Sequence, residues 1–179
     1  LLPEFEPNLF LDLIEQERAQ FALAVPTMLI ALLETQRANP RDVSSMEVVI
    51  SGGAVVPIEI VKRVQKDFGT NFAIVFGQTE TSPVNTSTRL DDTPEDISES
   101  LGRALPQAEV KIVDPETGET VAVGEAGELC TRGYLTMKEY FEMPDATAKT
   151  IDADGWLHTG DLCSMDERGY FYIQGRLKD

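Results

Sequence analysis

Residues 48–80 read VVISGGAVVPIEIVKRVQKDFGTNFAIVFGQTE, and three textures follow one another within them. Val48 to Ile50 are a short apolar run of the kind that makes a buried strand, and Gly52-Gly53 make a tight turn behind it. Pro57 then opens a helix whose Ile60, Val61, Val64 and Phe68 recur at helical spacing and face inward, and Gly69 stops it. Phe72 to Phe76 are apolar again. Strand, helix, strand is the repeating unit of a parallel α/β sheet, because parallel strands need a long crossover between them.

Working outward to the N-terminal side, Asn8 is a candidate cap for a helix through LFLDLIEQERAQF, with Leu9, Leu13 and Ile14 on its inner face. Pro26 begins a second helix, PTMLIALLETQ, ended by Asn39-Pro40. On the C-terminal side the texture changes. RLDDTPEDISES, residues 89–100, is polar and acidic and reads as a connecting loop. Beyond it AEVKIV, GELCTRG and GYFYIQG are short strands separated by the turns DPETGE and DERG. The expected fold class is therefore α/β followed by mostly β: residues 1–90 as part of a parallel α/β subdomain, residues 91–179 as a small barrel or distorted sheet.

Composition narrows the function. In 179 residues, 31 acidic against 15 basic side chains give a net charge of -16, which repels a nucleic-acid backbone or an anionic membrane surface. No apolar run reaches the length of a membrane span and the N-terminus lacks the pattern of a signal peptide, so neither an integral membrane segment nor nucleic-acid binding is expected. Cys130 and Cys163 stand far apart without paired spacing, and only His158 could join them; a metal site of that kind is not expected, and a reduced, cytoplasmic setting is. The chain starts on Leu-Leu and stops on Lys178-Asp179, which reads as a piece of a longer protein.

Ligands of parallel sheets bind beyond the carboxyl ends of the strands. Here VVI runs into SGGA and AIVF runs into GQTE, two loops expected to lie side by side. Gly52 and Gly53 allow close backbone approach, and Phe76 offers a ring face to a purine. Thr79 offers a hydroxyl to phosphate and Glu80 a hard oxygen to Mg²⁺. Together they describe a nucleoside triphosphate site. Downstream, GWLHTGDL sets Asp161 behind a glycine turn, where a carboxylate can accept from the two hydroxyls of a ribose, and GRLKD supplies Arg176 close behind. His158 is expected beside Trp156, shaping that turn, and Glu128 and Arg132 are expected to support the barrel or the magnesium region.

SGGA, FGQTE, GELCTRG, GWLHTGD and GRLKD, in this order, resemble the later part of the adenylating domain of the acyl-CoA synthetase, luciferase and nonribosomal-peptide adenylation superfamily, from about Val25 to Asp179. The resemblance implies that Gly52, Gly53 and Ala54 line the adenine and acyl pocket, that Phe76 contacts adenine, and that Gly77 belongs to the same nucleotide-binding motif. It implies that Thr79 contacts phosphate, Glu80 holds Mg²⁺, and Asp161 and Arg176 bind the ribose. Lys178 aligns with a hinge residue, not with the family's catalytic lysine. The family's phosphate loop is absent from these residues, and its catalytic-lysine domain follows the hinge, so the chain alone is expected to be inactive. The implied parent is an AMP-forming ligase that uses ATP, Mg²⁺ and coenzyme A to activate a carboxylate, expected to be a medium- or long-chain fatty acid. The alternatives are an aryl-acid or amino-acid adenylating domain, or a non-catalytic nucleotide-binding module.

Overall fold

The computed structural model describes residues 4–177; the expected hinge residue Lys178 lies outside them. The chain divides into two compact units, one of Leu1–Ile74 with Thr88–Glu99, the other of Val75–Ser87 with Ser100–Asp179.

The first unit opens with helix α1 (Pro7–Glu17). Its cap is Glu6, not the expected Asn8: the Glu6 carboxylate accepts from the backbone of Asn8 at 3.0 Å and of Leu9 at 2.6 Å. Proline tolerates the first helical position because it has no N–H to satisfy, so Pro7 takes that place and the cap falls two residues earlier, at Glu6. Those backbone hydrogen bonds hold the Glu6 carboxyl below its usual range. Leu11 and Ile14 are buried, whereas Leu9, expected inside, is exposed. The helix also ends sooner than its apolar pattern suggests. Arg18 turns left-handed (φ 52°), and Phe21–Leu23 form strand β1 in place of a last helical turn.

Helix α2 (Pro26–Ala38) buries Leu29, Leu32 and Leu33. Strand β2 (Val48–Gly52) pairs with β1 in parallel, Phe21 beside Val48 and Leu23 beside Ile50. Helix α3 (Ile58–Phe68) turns Val61, Val64 and Phe68 inward and stops at left-handed Gly69, and β3 (Asn71–Phe76) follows, so the strand, helix, strand reading of residues 48–76 holds. Leu11, Leu29, Leu32, Val49, Val61, Val64 and Phe72 are among the residues that close one core. Each large side chain buried there contributes roughly 1.5–3 kcal/mol.

Strand β4 (Thr86–Ser87) precedes the stretch read as a connecting loop, and helix α4 (Pro94–Glu99) lies within it. Two polar residues carry no apolar alternation, and α4 buries only Ile97. Strand β5 (Arg103–Ala104) pairs antiparallel with β4, and β4 with the end of β3, giving a sheet of order β1-β2-β3-β4-β5.

In the second unit the expected barrel or distorted sheet is a four-stranded antiparallel sheet. Its strands are β6 (Glu109–Val113), β7 (Gly127–Arg132), β8 (Leu157–Met165) and β9 (Phe171–Arg176), ordered as they occur in the chain. Ile112, Leu129, Cys163 and Phe171 form its core. The register shifts twice, between Glu128 and Cys130 and between Leu162 and Cys163, and such irregularities re-aim the side chains beside them.

Candidate functional site

Strand β3 ends at Phe76, whose half-buried ring packs against the core of the second unit. At Gly77 the chain folds back so tightly that a Cβ there would run into the backbone carbonyl of Pro83, and the Asn85 amide returns to the Phe76 carbonyl at 2.7 Å. Glycine is required at that close approach. A single helical turn, Thr79–Thr81, follows. The buried Thr81 hydroxyl fastens it, donating to the Gln78 carbonyl at 2.9 Å and accepting from the Gln78 amide at 3.1 Å. Thr79 is exposed at the tip and Glu80 half-buried beside it.

Glu80 is held from a distant part of the sequence. The Tyr140 hydroxyl donates to Glu80 Oε1 at 2.8 Å, and the Met137 amide donates to the Glu80 carbonyl at 2.8 Å. Tyr140 is itself pinned, its amide donating to Thr147 Oγ1 at 2.9 Å on helix α5 (Pro144–Thr150). The hydrogen bond to Glu80 raises the Tyr140 phenol above its ordinary pKa. Sequence reasoning missed Tyr140, because nothing in its neighbourhood points to a partner so far upstream. The donor set suits Mg²⁺, which takes one or two protein carboxylates and fills its remaining positions with water and substrate phosphate.

Asp161 and Arg176 are register partners on β8 and β9, and the Arg176 Nε donates to Asp161 Oδ1 at 3.0 Å. Asp161 is 5% exposed whereas the Arg176 side chain is 62% exposed. The turn before Asp161 is anchored residue by residue. Gly160 is left-handed (φ 74°) and its amide donates to Glu128 Oε1 at 2.9 Å. The Thr159 hydroxyl donates to the Leu129 carbonyl at 2.7 Å and accepts from the Asp161 amide at 3.2 Å.

His158 meets Glu128, Cys130 and Asp152. Its Nδ1 lies 2.7 Å from Glu128 Oε2 and 3.4 Å from Cys130 Sγ, and its Nε2 lies 3.7 Å from Asp152 Oδ2. The Trp156 ring receives the Lys111 ammonium at 4.3 Å and the Arg132 guanidinium at 4.5 Å. The imidazole thus sits among the Glu128 and Asp152 carboxylates, and the indole carries the two cations. Arg132 also grips Glu109 with two nitrogens, at 2.9 and 2.8 Å. Glu128, Cys130 and His158 thus meet within metal-ligand reach. Burial pushes the Cys130 thiol up to about 12, and the Glu128 oxygens are engaged by Gly160 and His158, which is the chemistry of a clamp more than of a metal cage.

In the first unit, Gly52 ends β2, Gly53 is left-handed (φ 79°), and Gly53 and Ala54 are exposed. The expected residues therefore fall into three groups. Phe76, Gly77, Thr79 and Glu80 share one turn, Asp161 and Arg176 share one ion pair, and Gly52 to Ala54 run off the end of β2.

A parallel-containing sheet with its helices, followed along the chain by an antiparallel sheet, is the arrangement of an adenylating-enzyme N-terminal domain. The model of the AMP-binding enzyme family matches residues 1–141, and the chain belongs to that family. It is 48% identical over 177 residues to the putative acyl-CoA synthetase YngI of Bacillus subtilis (strain 168), covering 98% of this chain and 32% of that protein. It is 38% identical to 4-coumarate–CoA ligase 1 of Arabidopsis thaliana, covering 100% of this chain and 32% of the other. Among solved structures, ATP-bound MatB from Rhodopseudomonas palustris superposes with a TM-score of 0.85 at 34% identity, covering 100% of this chain and 35% of that one. The chain thus spans about a third of the length of these curated relatives. No described helix is long and apolar enough to cross a membrane.

Proposed function

We propose that this chain is part of a cytoplasmic, ATP-dependent, AMP-forming carboxylate–CoA ligase, and that its residues hold the nucleotide and metal for the first half-reaction. A carboxylate oxygen attacks the α-phosphorus of ATP, the bond to pyrophosphate breaks, and an acyl-adenylate forms. The thiol of coenzyme A then attacks the acyl carbon, and AMP leaves with the bridging oxygen. The observation that carries this reading is the Glu80 turn, in which a carboxylate is fixed by a tyrosine hydroxyl behind a glycine that no other residue can replace without a clash.

Mg²⁺ bound at Glu80 would neutralise phosphate charge, and the exposed Thr79 hydroxyl would donate to a phosphate oxygen. Asp161 would accept from the ribose hydroxyls while Arg176, tied to it, fixes the sugar's approach. Binding of the sugar, away from the reacting atoms, then aligns the α-phosphorus for in-line attack. Phe76 would border the adenine. The carboxylate is read as a medium- or long-chain fatty acid, which the greater identity to an acyl-CoA synthetase supports. The similarity to a 4-coumarate–CoA ligase favours an aryl acid as the second reading. Pyrophosphate release by the full-length enzyme across a panel of fatty, aryl and amino acids tests both. Fastest release with fatty acids bears out the first, fastest release with aryl acids the second, and none with any carboxylate overturns the ligase assignment.

A further inference from the structure

Glu128 lies on β7, apart in sequence from every residue assigned above to the nucleotide, and it is buried, 9% exposed. A buried carboxylate is costly unless each oxygen is satisfied, and both are. One accepts from the Gly160 amide at 2.9 Å, the other lies 2.7 Å from His158 Nδ1. These two contacts grip β8 at two residues, 158 and 160, immediately before Asp161. The β7 register shift between Glu128 and Cys130 sits at the same point, so the strand is locally re-aimed where Glu128 reaches across. Gly160 is left-handed, a conformation in which a glycine has wide freedom. Glu128 holds its amide and the Leu177 amide holds its carbonyl at 3.0 Å, so Glu128 is the side-chain anchor of the two that fix the residue preceding Asp161.

We propose that Glu128 is a positioning residue for ribose selection: by holding the Gly160 amide and His158 it sets the direction in which Asp161 meets the two ribose hydroxyls. This rests on the ribose reading of Asp161. Glu128 touches no nucleotide itself. Its effect is read through Asp161, as discrimination between ATP and an analogue lacking both ribose hydroxyls.

The test uses the full-length ligase and measures kcat/KM for ATP and for dideoxy-ATP in the adenylation half-reaction, with melting temperature recorded for each protein. The unaltered enzyme should prefer ATP by about tenfold or more for each hydroxyl lost, and Asp161→Ala should abolish most of that preference. Glu128→Gln keeps the length and an oxygen for the Gly160 amide, and its preference should stay within about threefold of the unaltered enzyme. Glu128→Asp keeps the charge but draws it back by one methylene, too far to hold both partners. Its preference should fall by about tenfold although Asp161 is intact. A merely structural Glu128 would lower stability and both rates together and leave the ratio unmoved. Full preference in Glu128→Asp, or its loss in Glu128→Gln with retention in Glu128→Asp, overturns the positioning role while leaving the ribose reading standing. Equal use of both nucleotides by the unaltered enzyme removes the ribose reading itself.

Discussion

Glu80 gives one carboxylate oxygen to Tyr140 and its carbonyl to the Met137 amide, so its direction is set before any ligand arrives. Replacing it with glutamine keeps the shape and removes the charge. Adenylation should slow by about a hundredfold, whereas thioester formation from supplied acyl-adenylate, which has no pyrophosphate to neutralise, should stay within about threefold. Single-turnover rates of the two halves check this, and equal losses would reject the magnesium role. Tyr140→Phe removes only the hydroxyl. A hydrogen bond to a charged carboxylate is worth about 1.5–3 kcal/mol, and part of it should appear as a several-fold rise in the Mg²⁺ concentration needed for half-maximal adenylation. An unchanged Mg²⁺ requirement would make the Tyr140 contact incidental. Neither Tyr140 nor the carboxylate grip of Glu128 on Gly160 was legible from sequence, because each depends on which side chains strand register and loop return bring together. That Phe76, Gly77, Thr79 and Glu80 gather in one turn was legible because they are consecutive or nearly so, and Asp161 and Arg176 stand where flanking glycines mark both places.

At the scale of elements, the α/β order was readable wherever helical or alternating periodicity ran for several residues, as in α3 and β3. It failed where a boundary depended on a single competing residue. Pro7 shifted the cap of α1 to Glu6, and left-handed Arg18 ended that helix before β1. Helix α4 was missed although its start carries a signal: Thr93 caps it, accepting from the Asp96 amide at 3.1 Å and donating to the Asp96 carboxylate at 3.0 Å, the spacing of a capping box. Loss of the Glu6 cap in Glu6→Ala should lower stability modestly. Gly77→Ala meets backbone on both sides of the returning chain and should cost more, about 2–4 kcal/mol, because the turn must open to admit a methyl. Chemical denaturation of the two variants side by side checks the order; a Gly77→Ala loss no larger than that of Glu6→Ala would mean that the turn yields readily.

Across the whole molecule, the two buried thiols link stability to pH. Burial pushes both Cys130 and Cys163 from an ordinary value of 9.0 up to about 12. The folded chain therefore keeps its thiol protons where the unfolded chain loses them. Their contribution is fully present below about 9 and is lost as the pH rises through about 12. A thiol-specific reagent at pH 8 should modify both cysteines quickly in denaturant and slowly without it; equal rates would contradict the burial. The chain spans about a third of the length of its curated relatives, and by itself it is expected to release no pyrophosphate from ATP and carboxylate above a heat-inactivated control. The account as a whole turns on attack of carboxylate oxygen at the α-phosphorus, and oxygen labelling follows that atom. With carboxylate carrying heavy oxygen, the full-length enzyme should produce AMP with one labelled oxygen and unlabelled pyrophosphate. AMP without label, or label in inorganic phosphate beside ADP, would contradict it.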